Sequence, residues 1–138
     1  MKIATTMSLI VDASIAVKWV SEERDSDQAR AVYLSDDCSA PSLIMAEVGN
    51  ALWKKQRMKI VTSGQAIAAL RALPEHIRLI EIAELAPRAA AIAAALDHPI
   101  YDCFYLALAE REHAPLVTAD KRLLETASRM KEIEVRAL

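Results

Sequence analysis

A chain of 138 residues that is 54% hydrophobic has material for one compact domain with a sizeable core and too little for two. Its formal net charge of −2 lacks the basic excess of a non-enzymatic nucleic-acid binder, and six aromatic residues are too few for the stacking platforms of single-strand binders. The longest run without a charge, Ile60 to Leu70, falls far short of the roughly 20 apolar residues of a membrane helix, so no membrane association is expected.

Lys2 and the apolar run behind it make a poor signal peptide, because Asp12 and Lys18 interrupt the run early. The two lone cysteines, Cys38 and Cys103, suit a reducing cytoplasm better than a disulfide framework. A cytoplasmic protein is expected.

In chain order, Met7 to Asp12 reads as a short buried strand, followed directly by a helix over Ser14 to Val20. Asp25 to Leu34 begins with capping residues and continues as an amphipathic helix. A brief segment around Ser39 leads to Pro41, which is placed to open a helix reaching about Lys59. Thr62 or Ser63 can cap a further helix ending before Pro74, and Ile77 to Ile82 is β-branched enough for a strand. An alanine-dense helix over Pro87 to Leu96 gives way at Pro99 to a helix over Tyr101 to Glu112 that is apolar on nearly all sides, and is therefore predicted to be buried. Pro115 to Thr118 is a strand, Asp120 starts a helix carrying Leu123 and Leu124, and Glu134 to Leu138 is an edge strand. Short apolar strands alternating with helices predict an α/β domain spanning 1–138, its central, mostly parallel sheet flanked by helices on both faces. Ligands in such sheets bind outside the carboxyl ends of the strands.

Asp12 and Asp120 fall at those ends, although each is also a good N-cap for the helix that follows. Glu47 lies inside the helix predicted from Pro41, where no cap is needed, on a stripe shared with Asn50 and Lys54 and beside the apolar stripe of Ile44, Val48, Ala51 and Leu52. A solvated helix face explains that stripe as well as a site does. Asp102 opens the buried helix, and a carboxylate against apolar surface needs a partner or a metal. Taken together, four carboxylates from separate elements are what a hard divalent cation requires for phosphodiester hydrolysis.

Other chemistries lack their residues. Two glycines, Gly49 and Gly64, build no phosphate-cradling loop. His76, His98 and His113 have no metal-binding spacing, no CxxC exists, and no GxSxG elbow occurs. His98, before Pro99, reads as a turn or surface residue.

The segments VDASIAVKW (11–19), PSLIMAEVGNAL (41–52), YDCFYLALAE (101–110) and LVTAD (116–120), in this order across nearly the whole chain, resemble the PIN-domain family, and within it the VapC-type toxins of prokaryotic toxin–antitoxin pairs. That resemblance implies a cation-dependent endoribonuclease using Mg²⁺ or Mn²⁺. It implies an acidic site of Asp12, Glu47, Asp102 and Asp120, with Ser14 and Thr118 at supporting hydroxyl positions and Asn50 at a recurrent amide. It further implies RNA as substrate, a homodimer, and inhibition by a small cognate antitoxin that covers the site. No family motif is missing.

Three other readings compete. A nuclease directed at DNA, or one processing RNA without an antitoxin, would use the same carboxylates. A phosphoacceptor domain would want adjacent acids after the first strand, where Asp12 is followed by Ala13 and Ser14. A catalytically silent partner-binding protein requires that the four carboxylates fail to meet. Lys18, Lys54, Lys55, Arg57, Lys121 and Arg122 are the cations that could select a nucleic acid, and each could equally be an ordinary solubilising charge.

Overall fold

A computed structural model describes residues 8–138; Lys2 and Met7, which the sequence reading used, lie outside the described residues. Among the described residues, five strands form one sheet: β1 Ser8–Val11, β2 Asp37–Pro41, β3 Arg78–Ile80, β4 Leu116–Thr118 and β5 Val135–Ala137. Their order is β3-β2-β1-β4-β5, and every described pairing is parallel. Seven α-helices of the described residues connect them: α1 Ala13–Val20, α2 Ser26–Ser35, α3 Ile44–Arg57, α4 Ser63–Ala72, α5 Ala86–Leu96, α6 Ile100–Glu112 and α7 Lys121–Ala127. Right-handed crossovers place α1 to α4, which lead leftward from β1 to β3, on one face, and α5 to α7, which lead rightward to β4 and β5, on the other.

The sequence expectation is corrected at the second strand. The segment around Ser39 is β2, with Leu9 opposite Cys38 and Ala40 opposite Leu79. Pro41 closes that strand instead of opening a helix. Its missing N–H costs nothing at a strand end, and the Ser42 N–H bonds the Ile80 carbonyl at 2.8 Å. Helix α3 therefore starts at Ile44, three residues later than predicted, and ends at Arg57. Ile44, Val48 and Leu52 are its buried stripe.

The other elements follow from local signals. Thr62 caps α4 in a full capping box, its hydroxyl accepting from the Gln65 N–H while the Gln65 side chain accepts from the Thr62 N–H. Helix α6 is buried without interruption from Cys103 to Ala109, as a helix apolar all round must be. It runs antiparallel to β4, so its first turn lies at the carboxyl edge of the sheet.

The core is built on β1, the central strand, and its neighbour β4, where Ile10, Val11 and Leu116 are almost wholly buried. Replacing Leu116 with Ala is expected to lower unfolding stability by about 2–5 kcal/mol, through lost transfer energy and the cavity left behind. A urea denaturation midpoint unchanged by this substitution would show that these strands are not the core.

Candidate metal centre and active site

The chain leaves β1 toward α1 and β2 on one side, and leaves β4 toward α7 and β5 on the other. The carboxyl ends of β1 and β4 are thus a topological switch point, where a doubly wound sheet opens a crevice. Asp12 follows β1 directly, and Thr118, Ala119 and Asp120 end β4. Two hydroxyls join these strand ends. Thr118 Oγ1 donates to Asp12 Oδ2 at 2.6 Å, and Ser14 Oγ donates to Asp12 Oδ1 at 2.5 Å. Ser14 Oγ also accepts from the Ala119 N–H at 2.9 Å, and Thr118 Oγ1 from the Asp120 N–H at 3.0 Å. Both hydroxyls singled out in the sequence therefore bond Asp12 and join the carboxyl ends of β1 and β4.

Asp12 is 4% exposed. Burial pushes its carboxyl up to about 6 from an ordinary 3.8, against the hydrogen bonds from Ser14, Thr118 and the Ile15 N–H, and the charge of Asp102 adds to the rise. Glu47 is half-buried and is also raised. Burial is the largest cause, the Tyr105 hydroxyl opposes it, and the charges of Asp102 and Asp12 reinforce it. Asp12, Glu47 and Asp102 thus act on one another electrostatically. The late start of α3 places Glu47 in that helix's first turn, not in its interior as the sequence suggested.

The fourth acid stands apart. Asp120 is exposed, is not among the charges acting on Asp12 or Glu47, and caps α7, its Oδ1 accepting from the Arg122 and Leu123 N–H groups at 2.9 and 3.3 Å. It reaches Asp12 only through Thr118. Asn50, one turn beyond Glu47, is exposed.

Two residues of this neighbourhood escaped the sequence reading. His98 lies in the turn between α5 and α6, as the sequence suggested, but not at the surface: it is buried, and its Nε2 donates to Asp102 Oδ2 at 2.7 Å. Tyr105, within the helix predicted to be buried and not singled out there, donates its hydroxyl to Glu47 Oε1 at 2.5 Å. The i, i+4 spacing of His98 and Asp102 was a usable signal for the first contact; nothing in the sequence signals the second.

Among the described residues, no Lys or Arg pairs with Asp12, Glu47, Asp102 or Asp120. Of the cations considered earlier, Lys18 is held by Glu23 and Asp25 at 3.0 and 2.9 Å, and Lys55 by Glu23 at 3.1 Å. Arg57 lies 5.1 Å over the Trp53 ring. Lys54, Lys121 and Arg122 are exposed. Burial lifts the thiols of Cys38 and Cys103 to about 12 and about 11, so neither is a thiolate nucleophile near neutrality.

The donor set is all oxygen and suits a hard cation. Among the described residues no three His, Cys, Asp or Glu side chains are grouped closely enough to hold one ion together. A Mg²⁺ site of one or two direct carboxylates completed by water and substrate phosphate would not require such a group.

The raised carboxyl of Asp12 fixes a pH dependence. Between about 4 and about 6 the folded chain holds a proton that the unfolded chain has released, so the stability from this group is complete below the lower value and is lost as pH rises through the upper one. In the presence of a chelator, Asp12 alone should cost about 3 kcal/mol at pH 7. Asp12→Asn, which keeps capping capacity, should stabilise the metal-free protein there by about 1–3 kcal/mol and flatten the slope between pH 5 and 7. Urea denaturation of the two proteins across this range checks it, and identical slopes would refute it.

Comparison with known proteins accords with this geometry. Residues 9–129 match the PIN domain family. The chain is 36% identical to ribonuclease VapC3 of Pyrobaculum aerophilum over 123 residues, covering 86% of this chain and 94% of that one. Two solved structures share the fold. VapBC2 from Rickettsia felis, bound to a promoter DNA fragment, superposes with a TM-score of 0.72 at 16% identity over 96% of this chain and 99% of that one. A toxin–antitoxin complex from Klebsiella pneumoniae superposes with a TM-score of 0.68 at 18% identity, over 91% and 94% of the two chains. The chain belongs to the PIN-domain family, in its VapC branch.

Proposed function

We propose that this protein is a divalent-metal-dependent endoribonuclease, the toxin of a toxin–antitoxin pair, with Asp12, Glu47, Asp102 and Asp120 as its acidic site and Mg²⁺ or Mn²⁺ as its cation. The observation that carries this reading is a set of carboxylates at the switch point, Asp12 buried and Glu47 and Asp102 half-buried, that act on one another while no Lys or Arg pairs with them among the described residues. The kinship with a ribonuclease supports RNA over DNA, which the carboxylates alone do not distinguish.

Asp12 would hold the cation with oxygens already oriented by Ser14 and Thr118. Asp102 and Glu47 would complete the negative surface around it, and Asp120 would contribute Oδ2, since Oδ1 is engaged in its helix cap. A bound Mg²⁺ or Mn²⁺ supplies Lewis acidity toward the phosphodiester and lowers the pKa of water. Glu47, made more basic by burial and by its acidic neighbours, is suited to take the proton that attacking water loses. Lys54, on the same stripe of α3, and Lys121 and Arg122, beside Asp120, are the exposed cations suited to RNA phosphates. Asn50 is a candidate hydrogen-bond partner for substrate on that stripe.

A small antitoxin would cover this acidic opening, by analogy with the toxin–antitoxin complex of the same fold. A homodimer in the antitoxin's absence is supported by Trp53, Met58, Ile60 and Ile67, large apolar side chains exposed along α3, the turn after it, and α4. Light scattering is expected to give twice the chain mass at micromolar concentration. A monomer mass that is independent of concentration into the high micromolar range would refute the dimer.

For the activity, purified protein is incubated with matched RNA and DNA oligonucleotides and Mg²⁺ or Mn²⁺. RNA cleavage that stops on chelation is expected. Asp12→Asn, Asp102→Asn and Asp120→Asn should each lower it by at least about 100-fold, more than loss of an outer-shell partner ordinarily costs. Cleavage that survives chelation, or full activity in all three variants, would overturn the mechanism; cleavage of DNA alone would overturn the substrate.

A further inference from the structure

The bond between His98 and Asp102 is built with more constraint than a turn requires. Helix α5 ends at Asp97 in the left-handed region, φ 50°, and the His98 N–H then bonds back to the Ala93 carbonyl at 3.2 Å. Pro99 follows, which restricts His98 to extended backbone, and the Cys103 thiol donates to the His98 carbonyl at 3.9 Å. The main chain of His98 is therefore fixed on both sides. Its side chain is 3% exposed, against 28% for Asp102, so the imidazole is the sealed partner and the carboxylate the open one.

Asp102 has no need of this bond for helix capping. It lies in the first turn of α6, whose N-cap position is Pro99, without a side-chain cap. The carboxylate that His98 holds is instead the one whose charge acts on both Asp12 and Glu47. A lone carboxylate on the first turn of a helix can rotate. One whose Oδ2 is tied to a buried, doubly anchored imidazole cannot do so without leaving the Nε2–H unpaired, and this leaves Oδ1 outside the imidazole contact.

We propose that His98 is a positioning residue: through Asp102 it sets the orientation of one carboxylate for the divalent cation, and so sets metal affinity. The inference rests on the metal-dependent reading above. Removing a group that hydrogen-bonds a metal ligand ordinarily lowers metal affinity by about 10- to 100-fold.

The test titrates Mn²⁺ into the full chain by calorimetry, beside thermal melts without metal. Wild type is compared with His98→Leu, which has no donor, His98→Gln, whose amide nitrogen reaches the position of Nε2, and His98→Asn, whose amide stops a bond short of it. The expected result is Mn²⁺ affinity lowered about 10- to 100-fold in His98→Leu and His98→Asn and largely retained in His98→Gln, whatever the order of the metal-free melting temperatures. Should the Leu variant fail to fold, the contrast between Gln and Asn decides. Mn²⁺ affinity equal to wild type in the Asn variant, or lowered equally in Gln and Asn, would overturn the proposal and leave His98 as a turn-stabilising residue. Absence of Mn²⁺ binding in the wild type would instead overturn the metal reading itself, and this inference with it.

Discussion

Each carboxylate of the proposed acidic site is oriented by a donor other than Lys or Arg. Asp12 is held by the hydroxyls of Ser14 and Thr118, Glu47 by the Tyr105 phenol, Asp102 by the His98 imidazole, and Asp120 by the backbone N–H groups of α7. A lysine or arginine in any of these places would orient the carboxylate and also neutralise it permanently, leaving little reason for an added cation to bind. Hydroxyl, phenol and amide donors fix the geometry and leave the charge in place. The result is a site that keeps its charge and the repulsion that goes with it; the elevation of Asp12 to about 6 records chiefly its burial, with repulsion from Asp102 a smaller contribution.

The fold reduces that repulsion in one general way. All four acids stand at the N-cap or in the first turn of a helix: Asp12 for α1, Glu47 for α3, Asp102 for α6 and Asp120 for α7. Helix N-termini are electropositive, each worth about 0.3–1 kcal/mol to a nearby anion. The rise at Asp12 corresponds to about 3 kcal/mol still uncompensated, so the dipoles and hydroxyls together fall short of what a cation would supply. The doubly wound topology accounts for the convergence, because helices that follow parallel strands begin at the carboxyl edge, and α6, running back toward the amino end of β4, begins there too.

Most of this was legible in the sequence. The alternation of short apolar strands with helices gave the layers, and the motifs around Asp12, Glu47, Asp102 and Asp120 named the acids. Strand β2 was not legible, because Asp37, Cys38, Ser39, Ala40 and Pro41 have low β propensity; parallel pairing with β1 on one side and β3 on the other makes it a strand. That displaced the start of α3 and put Glu47 in the wrong turn. His98 was misread because a residue before proline signals a turn in the backbone and says nothing of where its side chain points. Tyr105 was not singled out, because the apolar character of its helix predicts burial and carries no information about a hydroxyl at a ring's end. The wider separation of Asp120 was likewise hidden, since the strand-end position it shares with Asp12 does not reveal that its side chain turns onto α7.

The treatment of cations elsewhere in the molecule follows the same logic. Lys18 lies one turn beyond Ser14 on α1, and Lys55 two turns beyond Glu47 on α3, so the two helices that carry half of the acidic site also carry lysines on neighbouring surface. Both are engaged away from it: Glu23 binds the two together and Asp25 takes a second contact with Lys18. These side chains are 14% and 19% exposed, which places the pairs between the surface case, worth little, and the buried case, where breaking one partner leaves an uncompensated charge. Their consequence for the site does not depend on that energy. By supplying Lys18 and Lys55 with their own acids in the loop after α1, the chain ties α1 and α3 together, and neither lysine is among the charges acting on Asp12 or Glu47. The acids at the switch point thus keep donors other than Lys or Arg, while these two cations are committed to acids of their own.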